Sequence, residues 1–209
     1  KTAEEEITDY AYSMAVIGDT QNVAWYAPEK YEKIFDWIVD NKETKNIQFA
    51  LHMGDITEKS YASEWEIASR AIRRMDGVLP YSIVRGNHDK ADGYTKTFTY
   101  EDYRNVVGGT FDGTMLNYWT EFTVGSIKYL NICLDFGPTD AVLEWANKVV
   151  EDHSYHNVIV TTHAYMDATG EPIASPDENG LYPGASPLSQ QVSGGNNGVF
   201  AFKGSTVEI

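Results

Sequence analysis

Apolar positions along this chain follow two rhythms. Short apolar or β-branched runs alternate with segments whose apolar residues recur every three or four positions. Residues 12–17 form the first run and read as a strand. Pro28 suits the first turn of a helix, and Tyr31, Ile34, Phe35 and Ile38 then share one helical face until the pattern runs out over residues 41–46. Residues 47–53 are the next strand. Ser60 or Ser63 can cap the helix that follows, Glu66 completing a capping box with Ser63. Trp65, Ala68, Ile72 and Met75 line its apolar face, and Gly77 stops it. Residues 81–84 give a third strand. The order β-α-β-α-β predicts parallel strands joined by right-handed crossovers.

The rhythm then changes. Residues 99–107 read as a short helix stopped by Gly108 and Gly109. Residues 118–124 and 127–134 alternate as two strands around Gly125-Ser126, a hairpin signal. Thr139 or Asp140 starts a helix with Val142, Leu143, Ala146, Val149 and Val150 apolar, and residues 158–160 are a last strand. Residues 1–10 form an acidic lead-in. Residues 170–198, rich in Gly, Pro, Ser and Asn, read as a long loop. No internal repeat is present, and the 209 residues are read as a single domain.

Most strands end in polar residues of similar chemistry. Gly18-Asp19-Thr20-Gln21, Gly54-Asp55-Ile56-Thr57, Gly86-Asn87-His88-Asp89 and Thr161-Thr162-His163 each follow an apolar run. In open α/β sheets, ligands bind beyond the carboxyl ends of the strands. Four strands would therefore deliver carboxylate, amide and imidazole groups to one edge. Those donors suit divalent ions such as Mn, Fe, Zn or Mg. One Gly-Asp after a strand is an ordinary turn; Gly86-Asn87-His88-Asp89 is more specific, and the four together more specific still.

Net charge is −15, which disfavours a nucleic-acid backbone as partner. A phosphorylated substrate remains compatible, because bound cations supply local positive charge. Cys133 is the single cysteine, so no intrachain disulfide forms, and its apolar run suits a buried thiol. No apolar run reaches the ~18 residues of a membrane span. The acidic, Tyr- and Trp-rich composition favours a secreted or surface-attached parent. His52 is expected to be packed, on the face opposite Asp55. His153 and His156 read as solvated, and Arg70, Arg73 and Arg74 as a solvated helix face near Glu66. Trp25, Tyr26, Tyr94, Tyr165 and Tyr182 fall in or near loops; a substrate platform is one reading of them, and packing, the commoner role of such aromatics, is the expectation.

In its ordered motifs the sequence resembles the calcineurin-like metallophosphoesterase superfamily, over roughly residues 12–165. The resemblance implies an α/β fold, a four-layer α/β/β/α sandwich of two mixed sheets with two divalent metal ions at one edge. It implies hydrolysis of a phosphomonoester or phosphodiester by a hydroxide held between the metals. Asp19 and Gln21 would bind the first metal, Asp55 would bridge, and Asn87 and His163 would bind the second. His88 would act on the leaving oxygen, oriented by Glu58. The chain departs from the family pattern twice. Gln21 stands where a histidine is usual, so the first site is expected to bind metal more weakly or to prefer Mn or Mg. No G-H-x-H motif is present, since no histidine follows His163. The first residue is lysine, and Thr206-Val207-Glu208-Ile209 reads as the start of an element. The expectation is therefore a C-terminally truncated piece of a longer protein. The alternatives are a degenerate binding or surface module of the same fold, and an acidic Ca²⁺-binding structural domain.

Overall fold

The structure is a computed structural model, and it describes residues 10–136 and 138–164. The lead-in up to residue 9, the loop over 170–198, Tyr165 and Tyr182 lie outside the described residues. Among the described residues, seven strands and six α-helices follow one another: β1 (Ser13–Ile17), α1 (Gln21–Tyr26), α2 (Pro28–Asn41), β2 (Ile47–His52), α3 (Ala62–Ile72), β3 (Tyr81–Ile83), α4 (Ala91–Thr97), α5 (Tyr100–Tyr103), β4 (Val107–Thr110), β5 (Tyr118–Val124), β6 (Ile127–Cys133), α6 (Asp140–Asp152) and β7 (Asn157–Thr161). They build an α/β protein with two sheets. One has the order β1-β2-β3 and is parallel throughout; the other, β4-β5-β6-β7, is mixed. Two mixed sheets were expected. The first is parallel because each strand returns through a helix, and β7 pairs parallel to β6 because α6 carries the chain back.

Three apolar clusters hold these elements. Tyr31, Phe35 and Ile38 of α2 and Trp65, Ala68 and Ile72 of α3 pack on one face of the parallel sheet, as their spacing predicts. Phe49 and Leu51 of β2 meet Phe122 of β5 on its other face, with Phe49 and Phe122 stacked 4.0 Å apart. Leu130 and Ile132 of β6 pack against Val142, Leu143, Ala146 and Val149 of α6. A bulge between Ile47 and Phe49 lets both residues be buried on opposite faces of β2. The two sheets are also joined by polar contacts. The Asn131 amide of β6 donates to Ser82 Oγ of β3 (2.8 Å) and accepts from Thr161 Oγ1 of β7 (2.7 Å). The Tyr118 hydroxyl of β5 accepts from the Ile83 N–H (2.9 Å) and donates to the Ile83 carbonyl (2.8 Å). It thereby pairs the outward-facing Ile83 N–H of the edge strand β3.

Several local expectations need correction. Residues 99–107 are not one helix: α5 covers one turn and Val107 begins β4. Gly108 and Gly109 belong to that strand. A Cβ on Gly108 would lie 1.9 Å from Trp119 Cζ3, so the glycines make room for the indole rather than stopping a helix. Neither Ser63 nor Glu66 caps α3. The buried Glu64 carboxylate instead accepts from the backbone N–H groups of Tyr61 (2.9 Å), Glu58 (2.7 Å) and Lys59 (3.1 Å). Ser60 Oγ accepts from Trp65 Nε1 and from the Lys90 N–H, pinning α3 to the start of α4. The helices α1 and α4 were not expected; both are short, and α4 buries only Tyr94. Tyr94 is thus a core residue rather than a loop aromatic, its hydroxyl donating to the Ile83 carbonyl. Arg70 and Arg74 pair with Glu32 and Asp36 of α2, and Arg73 with Asp102, rather than with Glu66. His156 is half-buried, 2.7 Å from Glu121 Oε1, and His153 packs edge-on against Trp119, so neither is simply solvated. Cys133 is buried, as expected, and its burial pushes the thiol pKa up to about 12.

Candidate metal centre

The four polar segments meet at the carboxyl ends of β1, β2, β3 and β7. Carboxylate and imidazole atoms of Asp19, Asp55 and His163 all lie within 4.8 Å of one another. Asp55 is the hub. Its Oδ1 accepts from the His88 backbone N–H (3.0 Å) and its Oδ2 from Gln21 Nε2 (3.1 Å). Its backbone takes φ +51, a left-handed conformation that aspartate tolerates better than most residues. Burial raises the Asp55 carboxyl pKa, while the His163 imidazole and the His88 N–H pull it down. The loops around it press backbone to backbone. A Cβ on Gly86 would lie 2.2 Å from the Asp55 nitrogen, and one on Gly54 would lie 2.9 Å from His163 Nδ1. The glycines preceding Asp55 and Asn87 are thus required for the ligands to converge.

The arrangement fits a cation on two observations. His163 Nδ1 is 2.8 Å from the Met53 carbonyl, which can only accept, so Nδ1 carries the proton. Its Nε2 faces Asn87 Oδ1 (2.9 Å) and Asp55 Oδ1 (3.5 Å). With Nδ1 donating to Met53, a metal ion among these three atoms would satisfy them together. Gln21 makes the same point from the other side. Its amide nitrogen is used by Asp55, while the buried Oε1 has no partner among the described residues. An orphaned acceptor beside two carboxylates is what a metal ligand looks like without its ion.

His88 stands at the rim with its side chain partly exposed. Its Nδ1 faces two acceptors, the Glu58 carbonyl (3.1 Å) and Glu58 Oε2 (3.2 Å), so it donates to Glu58. Glu58 does not begin a helix; it lies in the loop before α3. The sequence thus brings all seven candidate residues to one place.

Reading the sequence for ligands misses the residues that hold them. Asp89 is buried at 1 % exposure. Its Oδ1 accepts from the Thr57 N–H and hydroxyl (both 2.8 Å), and its Oδ2 from the Ile56 and Gly86 N–H groups (both 3.0 Å). Burial nonetheless raises its pKa. Arg85 makes a bidentate pair with Asp135 and donates to the Asp89 carbonyl, tying the third segment to the end of β6. His52 is packed against Phe35, as expected, but it also starts a directional chain. Its Nδ1 accepts from the Gly54 N–H, so Nε2 donates to Thr20 Oγ1 (3.0 Å). The Thr20 hydroxyl donates to Tyr31 Oη (2.9 Å), which donates to the Ile56 carbonyl. Desolvation lowers the His52 pKa to about 3, so the ring stays neutral and the chain intact. Thr20 lies between two candidate ligands and Ile56 follows a third. Their only sequence signal was position inside the polar segments. Tyr31→Phe removes the acceptor for Thr20 and the donor to Ile56. It is expected to lower stability by about 1–3 kcal/mol in denaturant unfolding, since it leaves buried polar groups unpaired. An unchanged midpoint would show that the chain contributes nothing.

The sequence matches the calcineurin-like phosphoesterase family over residues 12–186. The chain belongs to that family. A curated relative, the uncharacterised protein YvnB of Bacillus subtilis, is 28% identical over 169 residues, which cover 76% of this chain and 13% of the relative. A shorter match, 34% identical over 50 residues, covers 23% of this chain and 8% of a probable inactive purple acid phosphatase 27 of Arabidopsis thaliana. The chain thus spans a small part of the curated relatives it matches. Among solved structures, purple acid phosphatase PPD1 from yellow lupin seeds superposes with a TM-score of 0.50 at 14% identity, covering 84% of this chain and 34% of the lupin chain. That likeness speaks for the fold. Family membership brings with it metal binding and phosphoester substrates as the family's usual properties. No described helix is long and apolar enough to cross a membrane.

Proposed function

We propose that this chain is a metal-dependent phosphoesterase domain that hydrolyses a phosphomonoester or phosphodiester. The observation that carries the reading is the convergence of Asp19, Gln21, Asp55, Asn87 and His163, with the buried Gln21 Oε1 left without a partner among the described residues. In this reading the three apolar clusters belong to a four-layer α/β/β/α sandwich, and residues 1–209 form one domain. Asp19 and Gln21 would hold a first divalent ion, Asn87 and His163 would hold a second, and Asp55 would serve both. Two such ions would neutralise phosphoryl oxygens and lower the pKa of a water. Asn87 and His163 would help to position the phosphate at that centre, and the His88 N–H and the Gln21 amide orient the two oxygens of Asp55. His88, whose Nδ1 is held by Glu58, uses Nε2 to hand a proton to the departing oxygen as the ester P–O bond breaks.

The test is Mn²⁺-dependent hydrolysis of an aryl phosphodiester by the chain. His88→Ala is expected to lower turnover by about 10²–10⁴-fold, the usual worth of general acid catalysis, while the bound-metal content stays the same. Loss of metal on that substitution would make His88 a ligand instead. A second reading, a binding module of the same fold, is favoured by one observation. No histidine follows His163, so the chain's own ligands number few for two ions. A folded, metal-loaded chain without turnover on any phosphoester would establish that second reading.

A further inference from the structure

We infer that Trp25, Tyr26 and Tyr61 form a platform beside the metal centre that seats a planar ring of the substrate, so that the substrate class is a nucleoside or aryl phosphoester. The inference rests on the phosphoesterase reading above and names the organic part of its substrate.

The three rings are contiguous and open. Trp25 is 40% exposed, Tyr61 55% and Tyr26 77%. Trp25 and Tyr61 are 5.7 Å apart between centroids, and Trp25 meets Tyr26 edge-on at 6.5 Å. None of them belongs to the three apolar clusters of the interior. The core is complete without them, and packing does not account for three large rings left in water. Contiguous exposed apolar surface of this kind marks a binding site.

Their position says which site. Gln21 and Trp25 sit four residues apart on α1, so they share a helix face one turn from each other. Tyr61 follows Glu58 by three residues, and Glu58 is the partner of His88. The platform is therefore built on two arms. One carries the Gln21 amide with its orphaned oxygen; the other carries the residue that holds His88. A molecule whose phosphate lies among Asp19, Asp55 and His88 extends its organic group toward these rings. Lys59 lies beside Tyr26 and Tyr61, with Glu58 Oε1 2.8 Å from its ammonium. It brings a cation near the two tyrosines, in a chain whose net charge is −15. Aromatic faces and a cation beside a phosphate site suit a planar ring attached to an anion. An alkyl phosphate would leave the rings uncovered.

The experiment compares three probes on the Mn²⁺-loaded chain by titration calorimetry: an adenosine phosphonate, methylphosphonate and adenosine. The phosphonates lack the scissile P–O bond. The adenosine phosphonate is expected to bind about tenfold or more tighter than methylphosphonate, in the range of base–aromatic stacking. Trp25→Ala combined with Tyr61→Ala should bring it down to the methylphosphonate level, leaving methylphosphonate binding and the melting temperature unchanged. Equal affinities for the two phosphonates in the unmutated chain, or a preference that survives the double substitution, would overturn the platform and leave the phosphoesterase reading standing. Adenosine binding that is lost in the double variant, with no gain from the phosphonate group, would keep the platform and sink the phosphoesterase reading. Failure of every ring-bearing probe to bind would overturn the platform.

Discussion

Asp55→Asn is expected to abolish Mn²⁺-dependent phosphoester hydrolysis, by on the order of 10³-fold or more, while leaving circular dichroism and melting close to unchanged. The substitution is nearly isosteric, and asparagine tolerates the φ of +51 that this position adopts. With its amide oxygen in the Oδ1 position it can still accept from the His88 N–H, so the loop geometry has a reason to persist. The charge does not persist. Asp55 is the one candidate ligand within reach of Gln21 on one side and His163 on the other. In the proposed two-ion reading, losing its charge would weaken the hold on both ions at once. Burial makes the unmutated carboxylate costly without a cation, since it raises the pKa of Asp55. The variant is therefore expected to be at least as stable as the unmutated chain when metal is removed, and less stable than it when metal is added. Retained turnover, or melting that responds to Mn²⁺ equally in both proteins, would remove Asp55 from the centre.

Much of this centre was legible in the sequence because its ligands come directly after strands. A strand ends where its apolar run ends, so Asp19, Asp55, Asn87 and His163 could be placed on one edge from hydrophobic spacing alone. The hairpin around Gly125 was legible for a similar reason: a two-residue turn with glycine first has few alternatives, and Val124 pairs with Ile127 as that turn requires. The misses share a different cause. Gly108 and Gly109 look like a helix stop locally, and only the Trp119 indole from β5 explains them as strand residues. Glu64 was overlooked because Ser63 and Glu66 offered a capping box at the usual spacing. The competing interaction joins Glu64 to Glu58 and Lys59, in a loop whose path depends on the whole centre. Asp89, Arg85 and the chain from His52 to Ile56 are tertiary constructions. Their partners lie up to 50 residues away, and no local period announces them.

Asp89→Ala should therefore have the largest effect on stability. The four donors that converge on this carboxylate come from two loops, Ile56 and Thr57 after Asp55 and Gly86 before Asn87. Alanine leaves three buried N–H groups and a hydroxyl without acceptors, and no solvent reaches the position. Each orphaned donor costs about 1–3 kcal/mol, so a loss of several kcal/mol is expected in denaturant unfolding. Asp89→Asn separates charge from geometry. Each carboxylate oxygen serves two donors, so the amide keeps one oxygen's pair and turns an NH₂ toward the other pair. Its cost should fall between those of aspartate and alanine. The effect on the centre should exceed the effect on the fold. Asp55 and Asn87 sit on the two loops that Asp89 joins, so Mn²⁺ affinity should fall in Asp89→Asn even where the variant remains folded by circular dichroism. If that variant binds Mn²⁺ as tightly as the unmutated chain, the two loops are held in register by Gly54, Gly86 and the Arg85–Asp135 pair alone, and Asp89 serves only the stability of the turn it fills.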